Sequence, residues 1–164
     1  MPPAASPGLV EPPWLAGDGL SWAVAILDSH ALAFARPLLA GVGPGDGLCA
    51  RQRAQELFAA PLVVLAHDGG ADPRLTYANA AALRLWRCPW RELVGMPSRL
   101  TAEPARQPER AAALALARQR TALRGYAGVR IDSRGGRFLI RGARIWSVGA
   151  GQAAAFDDWC RLPQ

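Results

Sequence analysis

The last third of the chain carries the pattern that most restricts the fold. Apolar and polar residues alternate from Tyr126 to Ser133 and again from Arg137 to Val148, and a further strand-like stretch runs from Gln152 to Trp159. Glycine-rich turns separate these three stretches, as they do between consecutive antiparallel strands. The pattern therefore predicts a three-stranded meander, with a β-bulge near Gly142, where the alternation slips.

Shorter strand and helix signals precede this meander. Pro61–Ala66 predicts a buried strand and Arg74–Tyr77 its partner across the turn HDGGADP. Helices are predicted at Ser21–Arg36, Cys49–Phe58, Asn79–Trp86, the segment PWRELVG and Pro108–Leu123. The last of these is predicted to be the longest, with Ala112, Leu116, Gln119 and Leu123 on one stripe. The order of elements favours an α+β fold in which helices cover one face of an antiparallel sheet.

The length and the cysteines indicate one reduced domain. A chain of 164 residues can bury one sizeable core. Residues 1–18, rich in proline, glycine and alanine, predict a flexible lead-in, and residues 19–162 predict a single domain. Cys49, Cys88 and Cys160 are an odd number without C-x-x-C spacing, which disfavours disulfides and structural zinc. With no membrane span or secretory signal in the sequence, we expect a cytoplasmic protein.

The positive charge is concentrated in one part of the chain. Residues 84–144 hold 14 arginines against 4 acidic residues, although the whole chain carries only +6. Such polarity attracts nucleic acid, an acidic partner or an anionic ligand, or it belongs to a solvated surface. Because the arginines are scattered singly and no DNA-reading helix is recognisable, nucleic acid is the least favoured partner.

The segment Tyr77–Trp86 and the following PWRELVGMPSRLTAEP (Pro89–Pro104) resemble the MEKHLA domain family, here of the stand-alone bacterial type. Ala25–Leu39, Tyr126–Phe138 and Gly151–Trp159 are similar to it as well. The resemblance implies a PAS-like fold, with a five-stranded antiparallel sheet cupped around a small cavity and an N-terminal amphipathic helix. It also implies a sensory or interaction role, by analogy with PAS domains.

The residues needed for catalysis are mostly missing. No serine lies in a G-x-S-x-G setting, and no cysteine has an obvious paired base. We therefore predict that the protein is not an enzyme. His30 is interpreted as a half-buried helix residue. His67 follows the first strand beside Asp68 and Asp72, where it either bonds a carboxylate and senses pH or holds the HDGGADP turn in place.

Two cofactors of PAS relatives are disfavoured by the sequence. Flavin photosensors use a reactive cysteine in an asparagine-cysteine-arginine motif, which surrounds none of the three cysteines. Haem-binding relatives place a histidine on the long helix, and Pro108–Leu123 contains none. No phosphate-cradling glycine loop or metal cluster takes their place, so we predict no cofactor.

A set of aromatic and polar residues is predicted to surround one cavity, as in many small-molecule sites. The candidate ligand-binding residues are Tyr77, Asn79, Trp86, Arg99, Tyr126, Arg130, Arg144, Trp146 and Gln152. In the competing interpretation the tryptophans only fill the core and Asn79 only caps its helix. Arg99 either pairs with Glu103 or offers its guanidinium to a ligand carboxylate.

Two functions remain open at this point. In the first, the domain binds a small molecule between sheet and helices and signals through a downstream protein partner or a dimer. In the second, it is an interaction module without a ligand. A homodimer would then use the N-terminal helix, where Trp22, Ile26 and Phe34 offer a second apolar face.

Overall fold

The fold combines five helices with one antiparallel sheet. The computed structural model of the protein describes residues 8–164. The helices are α1 (Gly17–Phe34), α2 (Ala50–Ala59), α3 (Ala80–Trp86), α4 (Trp90–Leu93) and α5 (Gln107–Arg120). Short 3-10 helices span Pro13–Leu15, Ser98–Thr101 and Pro104–Arg106. The strands are β1 (Val63–His67), β2 (Leu75–Ala78), β3 (Ala122–Ile131), β4 (Arg137–Val148), β5 (Gly151–Phe156) and β6 (Asp158–Arg161).

The sheet has the strand order β2-β1-β5-β4-β3, and every neighbouring pair is antiparallel. β6 pairs with β4 on the same side as β5, because Ala155 lies opposite Arg144 and Asp158 lies opposite Arg141. The predicted final strand is therefore present in two pieces, interrupted at Asp157. The predicted α+β class and antiparallel sheet are confirmed, but the sheet has six strands rather than the five that the resemblance implied, because the last stretch is divided into β5 and β6.

Helices lie against both faces of the sheet, which differs from the predicted cover on one face. All five residues of β1 are buried. Val64 and Ala66 pack in a cluster with α1 and α2, whereas Val63 and Leu65 pack with α3 and α4. Successive strand residues point to opposite faces, so a strand buried at every residue needs cover on both. We call the face toward α1 and α2 the outer face and the opposite one the inner face.

The bulge predicted near Gly142 is confirmed. Tyr126 lies opposite Ala143 and Gly128 lies opposite Ile140, so β4 carries one residue more than β3 between these pairs. Gly142 has a φ of +62° there, a conformation that glycine adopts without a steric penalty.

The predicted lead-in is structured at its C-terminal end, and residues 1–7 of it lie outside the described residues. Leu15 is buried, and the ring of Trp14 stacks on Phe58 with 3.8 Å between centroids. α1 begins at Gly17 rather than Ser21. Burial of these two apolar side chains explains why a proline-rich stretch packs here, since proline is well tolerated in the first turn of a helix.

We expect Gly19→Ala to destabilise the protein by about 1 to 3 kcal/mol. Alanine normally favours a helix over glycine by about 1 kcal/mol, but a Cβ on Gly19 would lie 2.0 Å from the backbone oxygen of Pro13. Urea unfolding measures the effect. Ser21→Ala, at an exposed position of the same helix, serves as the control and should change stability little. A more stable Gly19→Ala variant would show that the Pro13–Leu15 segment does not pack as described.

Helix α5 differs most from its prediction. It ends at Arg120, so Leu123 belongs to β3, and with 14 residues it is shorter than α1 with 18. Leu116, expected on the inner stripe, is exposed, whereas Ala117 is buried. The side of α5 that faces the protein carries Arg110, Leu114 and Ala117, at helical spacing. Apolar periodicity does not identify this side of the helix, because the charged residue Arg110 is part of it.

Candidate functional site

A cavity of about 60 Å³ lies between the inner face of the sheet and helices α3 and α5. Strand residues, among them Leu65, Ile140 and Phe156, form its apolar wall. Trp86 at the end of α3 and Leu114 of α5 face them from the helical side. The remaining lining residues that matter here are polar, namely His67, Thr101, Arg110, Arg130 and Gln152.

Three lining residues carry buried polar atoms without a hydrogen-bond partner among the described residues. They are His67 Nε2, Trp86 Nε1 and Gln152 Oε1. These residues are only 6%, 2% and 1% exposed. Buried polar groups are nearly always hydrogen-bonded, so each exception asks for an explanation. Three unpartnered polar atoms around one cavity are expected where a polar ligand or ordered water binds.

His67 ends β1, and its tautomer follows from its one partner. Its Nδ1 lies 2.7 Å from the backbone oxygen of Asp68. Because a carbonyl oxygen can only accept, Nδ1 donates and Nε2 keeps a free lone pair. Burial lowers the pKa of His67, which keeps the ring neutral at pH 7. Neither Asp68 nor Asp72 offers it a carboxylate, so the interpretation as a residue that holds the turn in place is the one the structure supports.

Arg130 of β3 is held in place by an aromatic neighbour. Its Nη2 donates to the Tyr126 hydroxyl at 2.9 Å and its Nη1 to the Val129 oxygen at 2.9 Å. The space for this pair exists because residue 128 is glycine. A Cβ there would lie 2.4 Å from the Tyr126 hydroxyl oxygen.

Arg110 of α5 brings a second positive charge to the cavity. Burial, together with repulsion from Arg130, lowers the pKa of Arg110 to about 10. Neither an ion pair nor a hydrogen bond ties its guanidinium to another described residue. No aspartate or glutamate lines the cavity. The cavity is therefore positive and lacks an internal counter-charge.

Gln152 connects the sheet to α5. Its Nε2 donates to the backbone oxygen of Leu114 at 2.9 Å, which orients its free Oε1. Gln152 follows the hairpin turn between β4 and β5 and lies opposite His67 in the β1–β5 pairing. The two unpartnered acceptors thus come from neighbouring strands at the same level of the sheet.

A groove of about 760 Å³ lies outside the cavity, between the turn Gly69–Pro73 and α5. Arg110 and Leu114 line both the groove and the cavity, so their side chains lie at the boundary between the two. Arg99 lines the groove, where its Nε lies 3.2 Å from Asp72 Oδ1. The predicted pairing of Arg99 with Glu103 is wrong, because the carboxylate of Glu103 lies near Arg137 instead.

The nine predicted site residues do not all meet at one cavity. Trp86, Arg130 and Gln152 line it. Tyr126 does not line the cavity but accepts a hydrogen bond from Arg130, and Arg99 lies in the groove. Four residues, Tyr77, Asn79, Arg144 and Trp146, lie elsewhere.

Arg144 and Trp146 lie on the outer face. Arg144 donates to His30 Nε2 at 2.8 Å, and Trp146 Nε1 donates to Ser29 Oγ at 2.9 Å. The physical reason is strand alternation: Ile145 between them lines the cavity, so its neighbours must point away.

Tyr77 and Asn79 have structural roles. Tyr77 is fully buried, packs edge-on against Trp90 and belongs to the cluster of α1 and α2. Burial raises the pKa of its phenol. Asn79 caps α3, where its Oδ1 accepts from the backbone nitrogen of Ala82 at 3.1 Å.

The sequence prediction missed Arg110 and Leu114 as site residues. The stripe assigned to α5 pointed these side chains to solvent, although their spacing of four residues, followed by Ala117, marks a common side. Thr101 also lines the cavity. Its Oγ1 donates to the Ser98 oxygen at 2.7 Å.

Trp22, Ile26 and Phe34 do not form the exposed second apolar face that was predicted for α1. Ile26 and Phe34 are buried in the core, and only Trp22 is partly exposed. His30 is fully buried rather than half-buried.

Residues 8–164 contain no group of three or more His, Cys, Asp or Glu side chains placed to hold a metal ion. None of the helices in that range is both long and apolar enough to span a membrane.

Solved structures with a similar fold include PAS and light-oxygen-voltage proteins. A PAS domain from Colwellia psychrerythraea is 12% identical, with a TM-score of 0.56 over 68% of this chain and 95% of that one. An RNA-binding light-oxygen-voltage receptor is 20% identical, with a TM-score of 0.59 over 77% of this chain and 36% of the receptor. This chain thus spans about a third of that receptor.

A PAS domain of a LuxR-family transcriptional regulator from Burkholderia thailandensis, described in complex with ethanol, is 11% identical. Its TM-score is 0.51 over 66% of this chain and 95% of that one. At these identities the likeness establishes the fold. No curated protein matches the chain significantly.

A flavin does not fit the cavity. One similar light-oxygen-voltage domain is described with a flavin analogue. Pockets for molecules of that size measure about 300 to 1,000 Å³, against about 60 Å³ here. None of the three cysteines lines the cavity.

The family follows from the whole chain rather than from the cavity. The MEKHLA domain matches residues 20–161, which include every helix and strand from α2 to β6 and most of α1. The segments that carried the resemblance, Tyr77–Trp86 and Pro89–Pro104, fold into α3, α4 and the loop that leads to the cavity. The chain belongs to the MEKHLA domain family and has a PAS-like fold.

Proposed function

We propose that this protein is a non-enzymatic sensory domain that binds a small molecule in the cavity between the inner face of the sheet and α5. The observation that carries the proposal is the set of three unpartnered polar atoms around one cavity. A dry apolar core would not need them, and leaving each unpaired costs about 1 to 3 kcal/mol. The PAS domain described with ethanol supports the same use of this fold.

Binding in the cavity could be transmitted directly to the protein surface through α5. A bound molecule would contact Arg110 and Leu114, whose other sides face the outer groove. Within α5 only Ala117 is fully buried, and Gln152 ties the helix to the sheet through the Leu114 oxygen, so a small movement of this helix would disturb mainly these contacts. We infer that a downstream protein partner or a second copy reads the position of α5.

The side chains around the cavity support a binding role over catalysis. Serine, cysteine, aspartate and glutamate are all missing from its lining, and the hydroxyl of Thr101 is engaged with a backbone oxygen. His67 therefore has no side-chain nucleophile in the cavity to activate. The proposal includes the cytoplasm as the compartment, which is supported by three cysteines that remain unpaired.

The proposal predicts that a small molecule binds to the protein and that filling the cavity abolishes this binding. Native mass spectrometry of the purified protein is run first, to detect a retained small molecule. A panel of neutral, anionic and cationic compounds of up to about eight non-hydrogen atoms is then tested by thermal unfolding. At 100 times its Kd, a ligand should stabilise the fold by about 2.7 kcal/mol, which raises Tm by about 5 to 10 °C.

Ala154→Leu, which projects a larger side chain into the cavity, should lose this response. Ala112→Leu, on an exposed side of α5 that lines neither cavity nor groove, should keep it. If no compound raises Tm and the native mass equals that of the polypeptide, the ligand-binding function is wrong. An interaction module without a ligand would then be the better interpretation.

A further inference from the structure

The charge of the cavity restricts what can bind in it. Arg110 and Arg130 both line the cavity, and no acidic side chain does. Arg130 spends two donors on Tyr126 and Val129, whereas Arg110 has no hydrogen-bond acceptor among the described residues. Two guanidinium groups in a small, mostly apolar space repel each other, and one anion between them would relieve that repulsion.

The donors suit a planar anion. A guanidinium group presents paired N–H donors that match the two oxygens of a carboxylate. The unpartnered Trp86 Nε1 adds a neutral N–H donor to the same cavity. A cation or an ammonium-bearing ligand, in contrast, would be repelled by both arginines.

The acceptors require a second feature of the ligand. His67 Nε2 can only accept here, because His67 Nδ1 carries the proton that is donated to the Asp68 oxygen, and Gln152 Oε1 is an amide oxygen, which can only accept. A carboxylate has no proton to give them. A hydroxyl group beside the carboxylate would satisfy one of these acceptors while the carboxylate meets the arginines.

The size of the cavity sets the third limit. At about 60 Å³ the cavity lies far below the range of about 300 to 1,000 Å³ for pockets of drug-sized molecules, which limits the ligand to a few non-hydrogen atoms. Sugars, nucleotides and aromatic acids exceed this limit, whereas hydroxy acids of two or three carbons meet it.

We propose that the cavity selects a small hydroxycarboxylate, held by Arg110 and Arg130 through its carboxylate and by His67 or Gln152 through its hydroxyl. This inference rests on the proposed function and names the ligand class for the same site. Because the charge of Arg110 is uncompensated, the free energy of unfolding of Arg110→Gln, measured without ligand, should equal or exceed that of the parent protein.

The test compares glycolate and L-lactate with analogues that lack one feature each. Acetate and propionate lack the hydroxyl, glycolamide and propane-1,2-diol lack the charge, and inorganic phosphate is an anion of a different shape. Binding is measured by isothermal titration calorimetry and by the shift of Tm. Arg110→Gln is the test variant, and Arg120→Gln, on the same helix but outside both cavity and groove, is its matched control.

We expect one hydroxycarboxylate to bind most tightly. Acetate or propionate should bind about tenfold more weakly, which is the loss of one hydrogen bond to a buried acceptor. Glycolamide and the diol should bind about 100-fold more weakly. Arg110→Gln should weaken hydroxycarboxylate binding by about 10- to 100-fold, and Arg120→Gln should leave it unchanged.

The contrary outcomes are distinct. Equal binding of propane-1,2-diol and L-lactate, unaffected by Arg110→Gln, would overturn the selection for an anion but leave a ligand-binding cavity. Tight carboxylate binding that survives both Arg110→Gln and Ala154→Leu would locate the anion outside the cavity and overturn the inference. If no compound in either panel binds, and native mass spectrometry detects no retained molecule, the inference and the proposed function are both wrong.

Discussion

Replacing Asn79 by alanine is expected to lower the free energy of unfolding by about 3 to 5 kcal/mol. This side chain is fully buried and joins three segments of chain. Its Oδ1 accepts from the backbone nitrogens of Ala82 at 3.1 Å and Val64 at 3.0 Å. Its Nδ2 donates to the backbone oxygen of Leu62 at 2.7 Å.

Loss of the helix cap alone would cost about 1 kcal/mol. The larger effect arises because the backbone nitrogen of Val64 and the oxygen of Leu62 would remain buried without this partner. Each of these two groups adds about 1 to 2 kcal/mol. Asn79 is the only asparagine in the sequence, and it holds the end of α2, the start of β1 and the start of α3 in one place.

Ser98→Ala provides the matched control for this prediction. Ser98 is also fully buried and polar, but its hydroxyl has no hydrogen-bond partner among the described residues. Its removal should change stability by less than about 1 kcal/mol. Urea unfolding at pH 7, followed by far-UV circular dichroism, gives both values. Similar losses in the two variants would mean that the bonds of Asn79 are not what stabilises this junction.

Acidification from pH 7 to pH 4 is expected to remove about 3 kcal/mol of stability through His30 alone. Burial, together with the positive charge of Arg144, lowers the pKa of His30 from 6.5 to about 4. Nδ1 bonds to the Arg36 oxygen at 3.1 Å and therefore donates, while Nε2 accepts from Arg144 at 2.8 Å. A proton on Nε2 would break the second bond and add a charge beside Arg144, Arg36 and Arg124.

The direction follows from proton uptake. As the pH falls through 6.5, the unfolded chain binds a proton at residue 30 and the folded chain does not, so the unfolded state gains stability. The loss of stability levels off below about pH 4, as His30 of the folded protein also becomes protonated. His67, whose pKa is also lowered, acts in the same direction.

The contribution of His30 is isolated by subtraction. His30→Gln retains a donor and an acceptor but cannot titrate. Between pH 7 and pH 4, its free energy of unfolding should therefore decrease by about 3 kcal/mol less than that of the parent protein. His67→Gln is the parallel variant for the other histidine. Equal pH profiles of the parent protein and His30→Gln would contradict the buried, neutral state assigned to His30.

The strands were predictable because their signals are local. Alternation in β4 and the slip at Gly142 are properties of neighbouring residues, and both were recovered in register. The faces of the sheet were not predictable in the same way. Alternation states that residues 144 and 146 share a side, but only the packing of α1 against β4 decides that this side is the outer one.

The cavity was predicted in kind but only partly in composition. Trp86, Arg130 and Gln152 were found because aromatic and polar residues stand out in strands and at a helix end. Arg110 was overlooked because an arginine in an alanine-rich helix is usually solvated. Its inward position depends on the contacts of α5 with β3 and β4. β3 follows α5 through a turn whose geometry the sequence does not reveal, and β4 lies further along the chain.

In the proposed binding function, the boundary between the groove and the cavity affects how quickly a bound molecule exchanges. Because the side chains of Arg110 and Leu114 lie at this boundary, their rotamer changes, rather than the separation of backbone elements, would open a path for the ligand. Rotamer changes of partly exposed side chains take picoseconds to nanoseconds, whereas collective movements of whole elements take microseconds or longer. Occupancy would then follow the surrounding concentration with little delay, which suits a detector of current conditions rather than a record of past ones.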